Sequence, residues 1–335
     1  MHRKIGILTF AFFISCQRSQ NATFEAPPAQ PPAAATPSAF FSTVVPGGIA
    51  NGKIYLAIPL LTDQSHTREQ KEHGREAFFR KAVPLTEKWS ERGPDSSDEG
   101  YGGDVIPDQY LDRKYIEANT AYRIGQSLSM RTREGIVPIR IARYEIHFSF
   151  ASATYFLYAV GDPTSGLVRP LVPQQIFASA ELPDCGKSCA LSRNKPDADK
   201  TQRVRAMAIE KLGVQFPSDI PDEERTETLL IYVGHFTRPD TNQYVAFFSR
   251  HSKEAEDVGK WATYVLDSDF SLISVLGRDS YLQLKPDGVA DVNGDGLDEI
   301  WCNDVGYEGT SYSLWYLGRT TPPSFKSVEW PYFGL

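Results

Sequence analysis

The C-terminal third of the chain consists of short apolar segments that alternate with turn residues. The segments are residues 229–236, 243–250, 261–266, 270–276, 281–284, 299–302 and 312–317. They are rich in aromatic and β-branched residues, and Gly, Asp, Asn or Pro lies between them. Short segments at this even spacing are typical of antiparallel strands in a meander or in propeller-like blades. The sequence therefore predicts an antiparallel β structure for this part of the chain.

The N-terminal half contains the same strand signals together with two helical patterns. Strands are predicted at 54–61, 121–130, 136–150 and 155–160, and helices at 67–81 and 195–213. Asp197 or Asp199 is expected to cap the second helix, and Gly213 to end it. Residues 91–112 are rich in Gly, Asp and Ser and predict a long surface loop. The predicted fold class is mainly β with minor α, an α+β protein with antiparallel sheets.

The first 16 residues have the pattern of an export signal. His2, Arg3 and Lys4 precede an apolar run over residues 5–14, which is too short to cross a bilayer as a helix. The run ends at Ser15-Cys16 and resembles the lipobox of bacterial lipoproteins, which implies that Cys16 is lipidated. The alternative is an ordinary cleaved signal peptide that contains a cysteine. By the same resemblance, Gln17 in place of Asp favours the outer membrane over the inner membrane of the cell envelope.

The composition divides the chain and limits its partners. Four ranges are predicted: a signal peptide at 1–16, a Pro/Ala-rich disordered stalk at 17–40, a mixed β-rich domain at 41–216 and an antiparallel β domain at 217–335. The formal net charge of −7 argues against nucleic acid as a partner, because nucleic acid requires basic patches. The expected partners are a membrane, through the N-terminal lipid, and a protein or glycan ligand.

The cysteines permit one local disulfide. Cys185 and Cys189 are separated by three residues, and in an exported protein such a pair can form a small disulfide loop. Free thiols, or a catalytic or metal-binding use, remain alternatives. Cys302 stands alone in the sequence.

An acidic, glycine-containing loop is the strongest candidate site. Counted from Asp291, side-chain oxygens fall at positions 1, 3, 5 and 9, and the backbone carbonyl at position 7 can also point inward. The predicted ligands are Asp291, Asn293, Asp295, Leu297 and Glu299. Oxygen ligands at alternate positions around a glycine bend are typical of Ca²⁺ sites. An EF-hand is excluded because its position 12 requires Glu and is Cys302 here.

The loop resembles the calcium loops of FG-GAP and VCBS-type repeats, which join two strands in integrin-type propellers. The resemblance implies a structural Ca²⁺ ion that holds a hairpin, with Asp298 pointing to solvent. The alternative is that Asn293-Gly294 and Asp295-Gly296 form a plain β-turn without an ion. Four acidic residues between 291 and 299 would then repel one another without compensation.

No catalytic motif stands out in the sequence. There is no G-x-S-x-G, H-E-x-x-H, Walker or G-x-G-x-x-G pattern. The histidines are His2, His66, His73, His147, His235 and His251, and each is expected to be solvated or satisfied within the structure. The sequence favours a calcium-stabilised, lipid-anchored binding or scaffold module over an enzyme. The alternative is an envelope hydrolase whose active site is assembled from residues distant in sequence.

Overall fold

The computed structural model describes most of the chain from residue 40 onward. The described residues are 40–41, 43–50, 52–60, 68–83, 105–132, 135–149, 154–163, 175–180, 182, 190–254, 259–280, 283–306, 309–318 and 324–330. They form three antiparallel sheets and belong to one compact unit, Ala34–Leu335. The predicted fold class, mainly β with minor α, is confirmed.

The first sheet closes on itself and is called here the closed sheet. Its strands are β1 (Val45–Ala50), β2 (Lys53–Ala57), β3 (Val105–Pro107), β4 (Ser127–Thr132), β5 (Gly135–Ser149), β6 (Thr154–Pro163) and β7 (Gln175–Ser179). The order β5-β4-β7-β1-β2-β6 returns to β5. Strand β3 pairs with the C-terminal part of β5. Closure leaves no open edge among those six strands.

Strand β5 shows why this sheet has an inner and an outer side. Tyr144 and Ile146 are fully buried in the main core of the closed sheet, so the residues between and beyond them face outward, as strand periodicity requires. Glu145 and His147 therefore lie on the outer face. A register shift after Ile141 marks a bulge in the pairing with β6, and bulges of this kind bend a strand.

Two helices pack against the core of the closed sheet. Helix α1 (Arg68–Ala82) contributes Phe78 and Phe79 to it. Helix α2 (Arg113–Ala118) contributes Ile116, and its N-cap Asp112 accepts a hydrogen bond from the Tyr115 amide at 3.1 Å. A cap of this kind satisfies one amide that the first helical turn leaves unpaired.

The second sheet, called here the first meander, contains consecutive strands. They are β8 (Arg225–Gly234), β9 (Gln243–Ser252), β10 (Gly259–Leu266) and β11 (Leu272–Arg278). Helix α3 (Ala198–Glu210) covers one face, where Val204 and Ala208 pack against Tyr244 and Tyr264. Asp197 caps α3 by accepting a hydrogen bond from the Lys200 amide at 2.9 Å.

The third sheet, the second meander, packs on the other face of the first. Its strands are β12 (Gln283–Ala290), β13 (Glu299–Gly306), β14 (Gly309–Gly318) and β15 (Ser324–Trp330). Ile300 and Cys302 pack against Val245 and Val265 of the first meander. Trp301, on the opposite face of β13, packs in a cluster with Phe177 and other residues near the closed sheet. The second meander therefore contacts both of the other sheets.

Several predictions of individual elements need correction. Strands β1, β7 and β15 and helix α2 are not predicted by the sequence pattern. The end of the predicted surface loop 91–112 is instead strand β3 and a 3-10 turn, Asp108–Tyr110. Asp108 is buried there and accepts a hydrogen bond from the Tyr144 amide at 3.2 Å. The domain division at residue 217 stays a prediction. No helix of the described residues has the length and apolarity to cross a membrane.

Candidate metal centre

The loop from Asp291 to Asp298 joins strands β12 and β13 in a tight hairpin. Gly294 and Gly296 adopt positive φ angles of 74° and 85°, a left-handed conformation that favours glycine over residues with a β-carbon. The glycines at these places therefore allow the chain to reverse within a few residues. The loop lies between two strands, as the sequence predicts.

Asp291 organises the inside of this loop. Its Oδ1 accepts hydrogen bonds from the amides of Gly294 at 2.7 Å and Asp295 at 3.1 Å. Its Oδ2 accepts one from the amide of Gly296 at 3.0 Å. Burial raises the pKa of the Asp291 carboxyl, and the nearby negative charge of Asp295 raises it further, while these amides lower it.

The next two predicted ligands make similar contacts. The Oδ1 atom of Asn293 accepts a hydrogen bond from the Asp295 amide at 2.9 Å, and Oδ1 of Asp295 accepts one from the Leu297 amide at 2.9 Å. Side-chain oxygens at positions 1, 3 and 5 thus turn back toward the loop backbone. Carboxylate and amide oxygens carry more than one lone pair, so each can accept a further contact.

Glu299 is the most buried acid of the loop, with 2% of its surface exposed. Its Oε2 accepts a hydrogen bond from the Val292 amide at 2.8 Å, and its Oε1 accepts one from the side-chain amide of Asn293 at 3.1 Å. Burial raises the pKa of Glu299 well above its usual value, whereas the Val292 amide lowers it. A buried carboxylate is unfavourable unless its charge is compensated.

The charges around Glu299 increase this cost. Asp295, Asp291 and Asp298 each raise the pKa of Glu299 through their negative charges. Among the residues that the structure describes, however, no group of three or more His, Cys, Asp or Glu side chains is arranged to hold a metal ion. Metal binding would therefore require the loop carboxylates to turn toward a common centre. The predicted ligand set stays a prediction.

The prediction that Asp298 points to solvent is wrong. Its carboxylate Oδ2 accepts a hydrogen bond from the backbone amide of His235 at 2.7 Å. Its own amide donates to the His235 carbonyl at 2.6 Å. Burial raises the pKa of Asp298, and the His235 amide lowers it. The loop packs on the end of β8, a contact between strands distant in sequence that no local pattern reveals.

A residue of the closed sheet also reaches the loop. The guanidinium of Arg131 in β4 donates to the Val292 carbonyl at 3.5 Å, and 1% of the Arg131 surface is exposed. Val292 itself is buried in a cluster with Phe177 of β7. The loop therefore lies where all three sheets meet. No sequence signal identifies Arg131 as a neighbour of the loop.

The outer face of the closed sheet carries a second group of polar side chains. Glu145 accepts hydrogen bonds from Arg143 Nε at 2.8 Å and lies 3.1 Å from His147 Nε2. Burial alone would raise the pKa of Glu145, but hydrogen bonds from His147 and Arg143 outweigh it and lower the pKa. The His147 ring lies edge-on to the rings of Tyr158 and Tyr55, with centroids 4.7 and 5.6 Å away.

His251 lies in strand β9 and has different partners. It is buried, with Nε2 at 3.0 Å from the Thr228 hydroxyl and Nδ1 at 2.8 Å from the Ser252 carbonyl. Both ring nitrogens therefore have partners, which confirms the expectation of a satisfied histidine.

The cysteine predictions fall mainly outside the described residues. This applies to the lipidation site Cys16 and to the predicted disulfide partners Cys185 and Cys189. Cys302, which occupies position 12 of the loop, is a free, buried thiol, and burial raises its pKa well above the usual value. A protonated, buried thiol has little reactivity.

Comparison with known proteins assigns no family to this chain. No protein-family model, no curated protein and no solved structure matches it.

Proposed function

We propose that the chain is a calcium-stabilised binding or scaffold module. One observation carries the proposal: Glu299 is 2% exposed and is surrounded by the acids Asp291, Asp295 and Asp298. A divalent cation among these side chains would compensate their negative charges and would lower the cost of an ionised Glu299 at this buried place. Because the loop lies at the meeting point of three sheets, the ion would act as a structural element.

The chemistry of the predicted ligands favours Ca²⁺ over other metals. All five ligands offer oxygen, from three carboxylates, one side-chain amide and one backbone carbonyl. Hard oxygen ligands favour Ca²⁺ or Mg²⁺ over Zn²⁺, which prefers nitrogen and sulfur. Mg²⁺ demands near-ideal octahedral geometry, whereas Ca²⁺ accepts a flexible shell such as a glycine-bent loop provides.

Calorimetric titration of the purified full-length chain with Ca²⁺ tests the site. We expect saturable binding of one ion in wild type and at least about a tenfold loss of affinity in Asp295→Ala, because one carboxylate ligand is removed. Asp240→Ala is the matched control, since Asp240 is an exposed acid in the β8–β9 connection. No heat of binding in wild type, or equal affinity in wild type and Asp295→Ala, would refute the assignment.

The membrane part of the proposal depends on residues 1–16 alone. Lipid at Cys16 would hold the folded body at the bacterial envelope, with residues 17–40 as a spacer. Incorporation of labelled palmitate into wild type, with none in Cys16→Ser, is the expected result. Equal labelling of both would place the lipid elsewhere, and no labelling of either would favour the ordinary signal peptide.

The binding role requires a protein or glycan ligand. Affinity capture from solubilised envelope, with and without a calcium chelator, should recover a specific ligand only when calcium is present. Equal recovery of the ligand with and without the chelator would show that ligand binding does not depend on calcium.

A second candidate function, hydrolysis, is favoured by the pair Glu145 and His147. A histidine held by a carboxylate is the arrangement that orients a general base in many hydrolases. If this pair is catalytic, His147→Ala should abolish hydrolysis of an ester, glycoside and phosphoester panel, whereas His251→Ala should retain it whenever the variant folds. No hydrolysis of any substrate class by wild type would remove this candidate.

A further inference from the structure

Asp298 occupies a special position in the loop. It lies between Leu297 and Glu299, which are two of the five predicted calcium ligands, and it is not itself predicted to bind the ion. Its amide and its carboxylate form two reciprocal hydrogen bonds with the backbone of His235, at 2.6 and 2.7 Å. If an ion holds Leu297 and Glu299 in place, Asp298 between them is held as well. Its two hydrogen bonds to His235 would therefore be stabilised by the ion.

The end of β8 is shaped to receive Asp298. A β-carbon built at Gly234 would lie 3.0 Å from Asp298 Oδ2 and 2.8 Å from the Phe236 ring. Only glycine leaves room for this close approach. The loop approaches the β8–β9 connection at a second place, because a β-carbon built at Gly296 would lie 3.4 Å from Cβ of Pro239. The loop and the β8–β9 connection are thus fitted to each other.

The rest of the β8–β9 connection is held by a different side chain. Gln243 Oε1 accepts hydrogen bonds from the amides of Phe236 at 2.9 Å and Thr237 at 2.8 Å. Its Nε2 donates to the Thr237 hydroxyl at 2.7 Å. These bonds lie within the first meander and do not involve the loop. The amides of Phe236 and Thr237 are therefore internal controls for events at His235.

We propose that Ca²⁺ bound in the loop 291–299 locks the end of β8 to the loop through Asp298, and so couples the first meander to the second. The inference rests on the proposed calcium site. Asp298 acts here as a positioning residue. The ion would hold Leu297 and Glu299, and Asp298 between them would hold the backbone of His235. We call the two hydrogen bonds between Asp298 and His235 the lock. Coupling of this kind is reciprocal, so the factor by which calcium stabilises the lock must equal the factor by which the lock strengthens calcium binding.

Residue-resolved amide hydrogen exchange of the full-length chain, with Ca²⁺ and with EDTA, tests the inference. We expect Ca²⁺ to slow exchange at His235 and Asp298 by about tenfold or more, within the range of ordinary coupling factors. Exchange at Phe236 and Thr237 should change far less, because Gln243 holds these amides. Titration calorimetry on the same sample measures calcium binding independently.

The outcomes separate the two proposals. Calcium binding without slower exchange at His235 would overturn the lock and leave the calcium site standing. No calcium binding would overturn both. Equal slowing at His235, Phe236 and Thr237 would indicate general stiffening and would also overturn the lock.

Variants at position 298 supply the second test. Asp298→Ala should lose the calcium-dependent slowing at His235 and weaken calcium binding by the same factor as that slowing. Asp298→Asn keeps an oxygen that can accept the His235 amide, and it should restore both effects in large part. Unchanged calcium affinity in Asp298→Ala would contradict the required reciprocity. If Asp298→Ala does not fold, Asp298→Asn must still exchange more slowly at His235 in Ca²⁺ than in EDTA, while Phe236 and Thr237 change far less; the absence of this difference would overturn the lock.

Discussion

Glu299 is the residue on which the calcium proposal chiefly depends. Its carboxylate has amide partners from Val292 and Asn293, yet the charged neighbours that act on it most strongly are acidic. Hydrogen bonds from amides satisfy the lone pairs of a carboxylate but do not bring a full positive charge. A bound cation would supply that charge.

Replacement of Glu299 by Gln tests this argument directly. Gln has the same shape and can accept the Val292 amide, but it carries no charge to bury. Without calcium, Glu299→Gln should melt at the wild-type temperature or higher. Addition of calcium should not raise its melting temperature as it does for wild type. Thermal denaturation in Ca²⁺ and in EDTA measures both, with Asp240→Asn as a control that behaves as wild type. A calcium gain that persists in Glu299→Gln would argue against Glu299 as a ligand.

The pair Glu145 and His147 gives a prediction for pH dependence. Arg143 and His147 from the same strand contact the Glu145 carboxylate. Tyr55 of β2 and Tyr158 of β6 pack against the His147 ring. The pKa of Glu145 is lowered on folding, so the folded protein binds this proton less readily than the unfolded chain does. The stabilisation is therefore present above the usual pKa of 4.5 and is lost as pH falls through the lower folded value.

Glu145→Gln should accordingly cost about 1.5–3 kcal/mol of unfolding free energy at pH 7, because charge-assisted hydrogen bonds are replaced by neutral ones. The difference from wild type should shrink as the pH falls below 4.5. Urea denaturation at several pH values measures this, and Glu210→Gln, an exposed acid at the end of α3, should show no such difference. A cost that stays constant with pH would contradict the assigned charge pairing.

At the scale of single elements, the sequence predicts long and regular segments well. Strand β5 and helices α1 and α3 lie within a few residues of their predicted ranges. Strand β5 and helix α3 each have a long apolar pattern of one period. Helix α1 has a charged run followed by an apolar group at Ala77, Phe78 and Phe79. Strand β1 contains Pro46, Gly47 and Gly48, which are normally unfavourable in strands. It forms because β2 and β7 pair with it on both sides. Such non-local pairing is invisible in a local pattern.

A buried polar contact within the apolar cluster joins helix α3 to the first meander. The Tyr264 hydroxyl donates to the Val204 carbonyl at 2.9 Å, and both residues are fully buried. Tyr264→Phe keeps the ring but removes this donor, and should cost about 0.5–1.5 kcal/mol of unfolding free energy. Chemical denaturation measures the loss, and Tyr115→Phe should show little change. An equal loss of unfolding free energy in both variants would show that the hydrogen bond from Tyr264 to Val204 has no specific stabilising effect.

At the scale of the whole molecule, the meanders follow from sequence order, whereas the closed sheet does not. Paired strands are consecutive in the chain from β8 to β11 and from β12 to β15, which is the pairing that sequence order favours. Closure of the first sheet depends on β7, which pairs with both β1 and β4 across long stretches of chain. The spacing of the acidic loop predicts its glycine bends, but its contacts with His235 and Arg131 arise only when the three sheets assemble.

The central claim is that an ion in the loop 291–299 stabilises the junction of the three sheets. Its most direct test is the melting temperature of the full-length chain in excess Ca²⁺ and in EDTA. When free Ca²⁺ is about 100 times the dissociation constant, the expected gain is about 2.7 kcal/mol, or roughly 5 °C or more for a chain of this size. Asp295→Ala should lose about half of that gain or more, because a tenfold weaker affinity leaves about 1.4 kcal/mol at the same free Ca²⁺. Equal melting temperatures of the wild-type chain in Ca²⁺ and in EDTA would contradict the claim.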